Sequence, residues 1–144
     1  MAMVPIGEAS TSSYSTAHAV LAPTRAARRA GDARMEANAV RALALDYKMR
    51  GIADSSLAAL EEAARLQRRA RDTRSLSETL VRIADLHIVT RRLGEARRVL
   101  LDAEVHASAS HNAFAQASIA TGLGSIALRL RDLPLAQRQL AHAA

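Results

Sequence analysis

Shifting this chain against itself by 40 residues aligns its apolar and small residues with one another. The aligned sets are Val40, Leu80 and Ala120; Leu43, Ile83 and Leu123; Ala44, Ala84 and Gly124; Leu60, Leu100 and Leu140; and Ala63, Ala103 and Ala143. A fixed period of this length predicts a solenoid, in which each unit buries its apolar face against its neighbours. This architecture favours a surface that binds other molecules over a pocket for chemistry.

Each period contains two stretches with the three- and four-residue spacing of amphipathic helices. In the middle unit the apolar stripes are Leu80, Ile83, Ala84 and His87, then Ala96, Val99, Leu100 and Ala103. The pattern predicts first helices at residues 33–50, 73–91 and 113–130, and second helices at 54–69, 95–108 and 134–143.

Residues that favour helix starts recur with the same period. They are Asp32, Asp72 and Asn112, and their side-chain oxygens can accept hydrogen bonds from free amides of a first turn. They predict the starts of the three first helices independently of the apolar pattern. Short turns are predicted at Gly51-Ile52-Ala53, Arg92-Leu93-Gly94 and Asp132-Leu133-Pro134, where a proline is tolerated in the first turn of a helix.

Two residues inside predicted helices are expected to be set by packing. Glycine costs a helix about 1 kcal/mol relative to alanine, so Gly124 predicts a close approach between helices. His87 falls in an apolar slot and is expected to be buried or partly buried. Asp85 lies two positions away on a different face, so these two side chains cannot form a catalytic pair directly.

The start of the chain, up to Ala30, differs from the repeats. Residues 1–13 hold a Ser/Thr run and are predicted to be a flexible leader. Residues 15–30 have a helical pattern, and at Pro23 we expect either a kink or a helix that restarts near Thr24. This segment resembles a partial unit that caps the array. The predicted domain therefore covers residues 14–144, with units at about 33–70, 73–109 and 113–144.

Composition narrows the fold class to all-α and excludes several kinds of site. Aromatic residues make up 2% of the chain, which argues against β-structure. Cysteine is absent, so disulfides and thiolate metal sites are excluded. No apolar run reaches the length of a membrane span, and no secretory signal is visible. We expect a cytoplasmic protein without a membrane partner.

The chain carries a net charge of +6, almost entirely from arginine. One interpretation is a set of solvated helix faces in an arginine-rich composition; the other is a surface for nucleic acid or anionic lipid. Acidic residues lie between the arginines and stacking aromatics are missing, so nucleic acid is the less favoured partner. The arginines cluster at Arg65, Arg68, Arg69, Arg71 and Arg74, and at Arg91, Arg92, Arg97 and Arg98.

The repeat resembles the tetratricopeptide repeat (TPR), which has large, Leu, Gly/Ala and Tyr positions on the first helix and Ala, large and Ala positions on the second. The matching residues are Val40, Leu43, Ala44, Tyr47, Ser56, Leu60 and Ala63; Leu80, Ile83, Ala84, His87, Ala96, Leu100 and Ala103; and Ala120, Leu123, Gly124, Ala127, Ala136, Leu140 and Ala143. Three features depart from the family. The period is 40 rather than 34, which predicts longer helices or longer loops between units. The closing proline is missing, and Ser56 replaces a small apolar residue.

The resemblance implies a right-handed superhelix that binds a peptide or partner domain on its concave face. Such long-period repeats resemble those of bacterial regulatory and signalling proteins. The carried-over positions are Asn38, Arg41, Leu45, Lys48 and Met49; Glu78, Val81, Asp85, Ile88 and Val89; and Ser118, Thr121, Ser125, Leu128 and Arg129. The Lys/Asn/Arg clamp of chaperone-binding TPRs is not reproduced, so binding of a chaperone tail is not expected.

Other constellations predict no chemistry. His106 and His111 lie near Glu104, but this group lacks the geometry of a metal site. Residues 122–125 contain two glycines inside a predicted helix without the strand and lysine of a phosphate loop. We expect no metal, no cofactor and no enzymatic activity. Two alternatives to partner binding remain: self-association through the terminal repeat, and an arginine-rich accessory surface for nucleic acid.

Overall fold

The computed structural model describes residues 32–131, and these form α-helices joined by short turns, without a β-strand in that range. The chain is therefore all-α over its described part, as predicted. The leader at 1–13, the predicted helix at 15–30 and the predicted helix at 134–143 lie outside the described residues. The helices are α1 (Ala33–Met49), α2 (Ala53–Arg69), α3 (Thr73–Val89), α4 (Leu93–Ala109) and α5 (Ala113–Arg131).

The helix-to-helix connections share one three-residue design. The middle residue of each turn has positive φ, and these residues recur at even spacing as Gly51, Arg71, Arg91 and His111. In the first turn, the amide of Gly51 donates to the carbonyl of Lys48 and the amide of Ile52 donates to that of Tyr47. This pair of bonds is the Schellman ending of a helix, and it satisfies carbonyls that the helix leaves free. The other three turns repeat both bonds.

The three predicted N-caps are confirmed. The Asp32 carboxylate accepts from the amides of Arg34 and Met35, and the Asp72 carboxylate accepts from that of Ser75. The Asn112 side-chain oxygen accepts from the amide of Ala115 at 3.2 Å. Helices α2 and α4 begin without a side-chain cap, which explains why the sequence signalled their starts less sharply.

The observed bounds correct two details of the prediction. Helices α2 and α4 begin at Ala53 and Leu93, so Ala53, Leu93 and Gly94 belong to helices rather than to the predicted turns. The turns within and between units have equal lengths, and the helices before α5 each have 17 residues. The extra residues of the lengthened period therefore lie in longer helices and not in longer loops.

Each helix packs against the next, and α3 also contacts α5. Such short turns require neighbouring helices to run antiparallel. Alanine occupies many of the packed positions, and Ala63, Ala84, Ala96 and Ala103 are fully buried. Ser56, the departure from the repeat pattern, is also buried, and its hydroxyl donates to the carbonyl of Ala44 at 2.8 Å. A small polar residue is accepted there because its hydrogen bond is satisfied.

The close-packing glycine is Gly122 rather than Gly124. A Cβ on Gly122 would lie 2.8 Å from Cδ1 of Leu100, which is fully buried. A Cβ on Gly124 would meet no atom within 4 Å. The predicted close packing of Gly124 is not found among the described residues, and the helix predicted at 134–143 lies outside them.

Candidate partner-binding groove

An open groove runs between α3 and α5 and reaches the end of α1. Its volume is about 580 Å³, and it is walled by apolar side chains with hydroxyls along α5. We name it the α3–α5 groove, and it is lined by Lys48, Val81, Asp85, Ile88, Val89, Phe114, Ala117, Ser118, Thr121, Gly122 and Ser125.

Two smaller cavities adjoin the α3–α5 groove along the first helices of the units. One, of about 180 Å³, has five lining residues in common with the α3–α5 groove and is also lined by Glu78, Arg82 and Ala115. We name it the side pocket. The other, of about 20 Å³, lies among α1, α2 and α3 and includes Arg41, Leu45, Lys48 and Arg82. Lys48 lines all three cavities, so the single lysine of the chain lies at their junction.

The structure brings together most of the residues that the resemblance placed on one face. Those lining the α3–α5 groove or the side pocket are Lys48, Glu78, Val81, Asp85, Ile88, Val89, Ser118, Thr121 and Ser125. Arg41 and Leu45 line the smallest cavity. Four predicted residues are exposed and line none of these cavities: Asn38, Met49, Leu128 and Arg129.

Sequence reasoning missed Phe114, the most prominent apolar side chain of the groove. It is 75% exposed and lies at the start of α5, where its ring forms a wall of both the groove and the side pocket. A signal was available, because Phe114 precedes Ser118 by four positions and Thr121 by seven, which is one helix face. The repeat register hid it, since the aligned positions hold Arg34 and Arg74.

Arg41 and Glu78 are not free groove charges, because they form an ion pair that links α1 to α3. The guanidinium and carboxylate approach to 3.6 Å. The other oxygen of Glu78 accepts from the side-chain amide of Asn112 at 3.0 Å, which connects α3 to the cap of α5. Burial lowers the pKa of Arg41, the positive charge of Arg82 lowers it further, and Glu78 opposes both effects.

Three other charges at the groove have no ion pair with another described residue: Lys48, Arg82 and Asp85. All three residues are exposed. Desolvation in the groove raises the pKa of Asp85, although the positive charges of Lys48 and Arg82 pull it down. The aspartate is therefore close enough to feel both cations but is not neutralised by a direct contact.

His87 is a core residue, as predicted, with 7% of its surface exposed. It lies in the last turn of α3, and burial lowers its pKa from the usual histidine value. Asp85 is exposed on another face of the same helix. The two residues therefore form no acid–base pair, and His87 is a buried residue of α3.

Three arginines of the clusters on the second helices form ion pairs with nearby carboxylates. Arg65 binds Glu62, and Arg98 binds Glu95, each within its own helix. Arg68 of α2 contacts Asp102 of α4 at 2.6 Å, and His106 lies 3.4 Å from the same carboxylate. These pairs reduce the positive field that a phosphate backbone would meet. Between residues 32 and 131 no group of three histidines or acidic residues could hold a metal.

No helix in the range 32–131 is both long and apolar enough to cross a bilayer. No family model, no curated protein and no solved structure matches the chain significantly. The function must therefore be argued from the geometry of the α3–α5 groove.

Proposed function

We propose that this chain is a protein-interaction domain, a TPR-like α-solenoid that binds a peptide or a segment of a partner protein in the α3–α5 groove. The sequence repeat and the antiparallel packing of successive helices support the solenoid. The open shape and the mixed apolar and hydroxyl lining support a peptide over a reaction centre. By its resemblance, the domain would serve a bacterial regulatory or signalling protein.

The observation that carries this proposal is the position of the most exposed large apolar side chains. Among the described residues, Met49, Val89 and Phe114 are 79%, 76% and 75% exposed. All three belong to first helices of the units, and two of them line the groove. Exposed apolar side chains gathered on one face mark an interaction site, because their exposure to water is unfavourable until a partner covers them.

Peptide display with matched aspartate variants tests the proposal. Random 12-residue peptides on phage are selected against the wild-type chain, and enriched peptides are then tested on Val89→Asp and Phe114→Asp. We expect each variant to weaken binding at least tenfold, because a carboxylate replaces an apolar contact. Val105→Asp is the matched control, since Val105 is 65% exposed on α4, away from the groove. Enriched peptides that bind all three variants equally would refute the proposal.

Self-association is a second candidate function, and one observation favours it. Ala120, Gly124 and Ala127 on α5 are exposed, whereas Leu80 and Ala84, the α3 counterparts of the first two, are buried. A second copy could cover this face. Light scattering after size-exclusion chromatography tests the candidate: Gly124→Glu should convert a dimer into a monomer. A wild-type chain that stays monomeric at high concentration would refute it.

A further inference from the structure

We infer that the partner segment carries an acidic side chain beside a large apolar one, with the acid held in the side pocket by Lys48 and Arg82. This inference rests on the proposed peptide-binding function and specifies its ligand. The acid belongs to a side chain within the partner segment and not to a chain end. Three features support it: unpaired charge, the shape of the two cavities, and the charge of the whole chain.

The unpaired charges at the side pocket have a positive excess. Glu78 is already bound by Arg41 and by Asn112. The described charges of the side pocket without an ion pair are then two cations, Lys48 and Arg82, and one carboxylate, Asp85. The guanidinium of Arg41 lies near Arg82 as well, and their repulsion shows that positive charge is crowded at this junction. One carboxylate from a partner would balance this excess.

The two cavities place an acidic side chain next to an apolar one. The side pocket has room for one side chain, at about 180 Å³, and Ser118 on its wall offers a hydroxyl that can donate to a carboxylate. The α3–α5 groove also has Phe114 as a wall and is lined by Val81, Ile88 and Val89. Because both cavities share Phe114 as a wall, a partner would fill them with side chains close together in its sequence.

The charge of the whole chain favours the same ligand. A net charge of +6 steers acidic segments towards the surface at long range. On the second helices, Arg65, Arg68 and Arg98 are engaged with carboxylates. The cations at the groove therefore provide short-range recognition, while the total charge increases the rate of encounter.

The sequences of selected peptides test this inference. A library of random 12-residue peptides fused ahead of a phage coat protein has no free peptide carboxyl terminus, so only acidic side chains can satisfy the site. We expect enrichment of Asp or Glu within a few positions of Leu, Ile, Phe or Met. A synthetic peptide from the selection, acetylated and amidated, should bind Lys48→Glu/Arg82→Glu at least tenfold more weakly than wild type.

Three further measurements make the test specific. Arg69→Glu, on the exposed end of α2 outside the cavities, should change affinity by less than about twofold, because it alters only long-range steering. Lys48→Met/Arg82→Met repeats the loss without introducing negative charge, in case the reversed variant folds poorly. Replacing the peptide's acid with lysine should restore binding to Lys48→Glu/Arg82→Glu. Circular dichroism checks that each variant is helical.

The outcomes separate this inference from the proposed function. Selected peptides without acidic residues, or equal affinity for Lys48→Met/Arg82→Met and wild type, would overturn the inference. If Val89→Asp and Phe114→Asp still abolished binding, the proposed function would stand. Failure to enrich any peptide, or binding that ignores the groove variants, would overturn both.

Discussion

Helices α3 and α5 occupy the same place in the repeat but differ in how much of each is buried. Ten of the 17 residues of α3 are buried, against five of the 19 residues of α5. Helix α3 has described helices on both sides, whereas α5 has them only on the side of α3 and α4. The difference teaches that burial in this fold is decided by neighbours: the aligned residues of α5 are equally apolar or small but are left exposed.

The largest expected effect is on the free energy of unfolding, when the side chain at one repeat position is truncated to alanine in α3 and in α5. Ile83 is 4% exposed in the core, while Leu123 is only partly buried against it. Ile83→Ala should lower the free energy of unfolding by about 3 kcal/mol, because it removes buried methyl groups and leaves a cavity. Leu123→Ala should cost about 1 kcal/mol, because fewer of its contacts are lost. Urea unfolding measures both, and equal losses would mean that the two positions are packed alike.

The junction between the two helices can be broken at Asn112. This residue is fully buried, and its side-chain amide donates to Glu78 of α3. Asn112→Asp retains an N-capping oxygen but places a second carboxylate at 3.0 Å from the first, and should cost about 2 kcal/mol at neutral pH. Asp72→Asn, the reverse exchange at the equivalent cap, is the control and should cost less than about 0.5 kcal/mol. A tolerated Asn112→Asp would show that the contact with Glu78 carries little energy.

Two glycines of α5 should respond with opposite signs to the same substitution. Gly124→Ala should stabilise the chain by about 1 kcal/mol, because alanine favours a helix and the new methyl group enters open space. Gly122→Ala should destabilise it by about 1 kcal/mol, because the methyl group displaces the fully buried Leu100. Thermal unfolding of the pair distinguishes the two sides of α5, and stabilisation by both would contradict the assigned contact.

The smallest expected effect is a pH dependence that only α3 can show. Burial lowers the pKa of His87 in the folded chain below its unfolded value. The unfolded chain then binds more protons as the pH falls through about 6.5, so stability is full above that pH and declines below it. His87→Tyr, which copies Tyr47 of the first unit, should remove this part of the decline in melting temperature between pH 8 and pH 5. The exposed His111 serves as the control through His111→Asn, and an equal change in both variants would contradict the assignment to His87.

Much of the architecture could be predicted because it is repeated. The caps at Asp32, Asp72 and Asn112 and the periodic apolar stripes each recur, so local signals reinforced one another. The positive-φ turns were harder to predict from the sequence. A glycine indicates this conformation only at Gly51, whereas Arg71 and Arg91 adopt it without being glycine. Their strain is offset by the Schellman bonds of helices that tertiary packing holds in place.

The groove was predictable in part, for a different reason. The resemblance to the TPR placed Val81, Asp85 and Ile88 on one face, and in the structure they line a common cavity. The resemblance did not predict the ion pair between Arg41 and Glu78, because that pair depends on how far neighbouring helices are shifted along one another. It also missed Phe114 at the start of α5, which lines the groove together with Lys48 of α1 and Val81 of α3. Relative helix shifts arise from packing between units, which no single period encodes.

Because the described turns have the same backbone bonds, successive helices alternate between the groove side and the back of the array. One helix and its turn form a module, and the modules begin at evenly spaced residues with the same bonds in every turn. The backbone of a connector is therefore the same before a groove helix and before a back helix. The even or odd place of the helix in the series distinguishes the two, together with the side-chain caps that only the groove helices have. Removing one module would send every later groove helix to the back, whereas removing two would shorten the array and keep its face. Growth or loss of such a chain is compatible with its surface only when modules are added or removed in pairs.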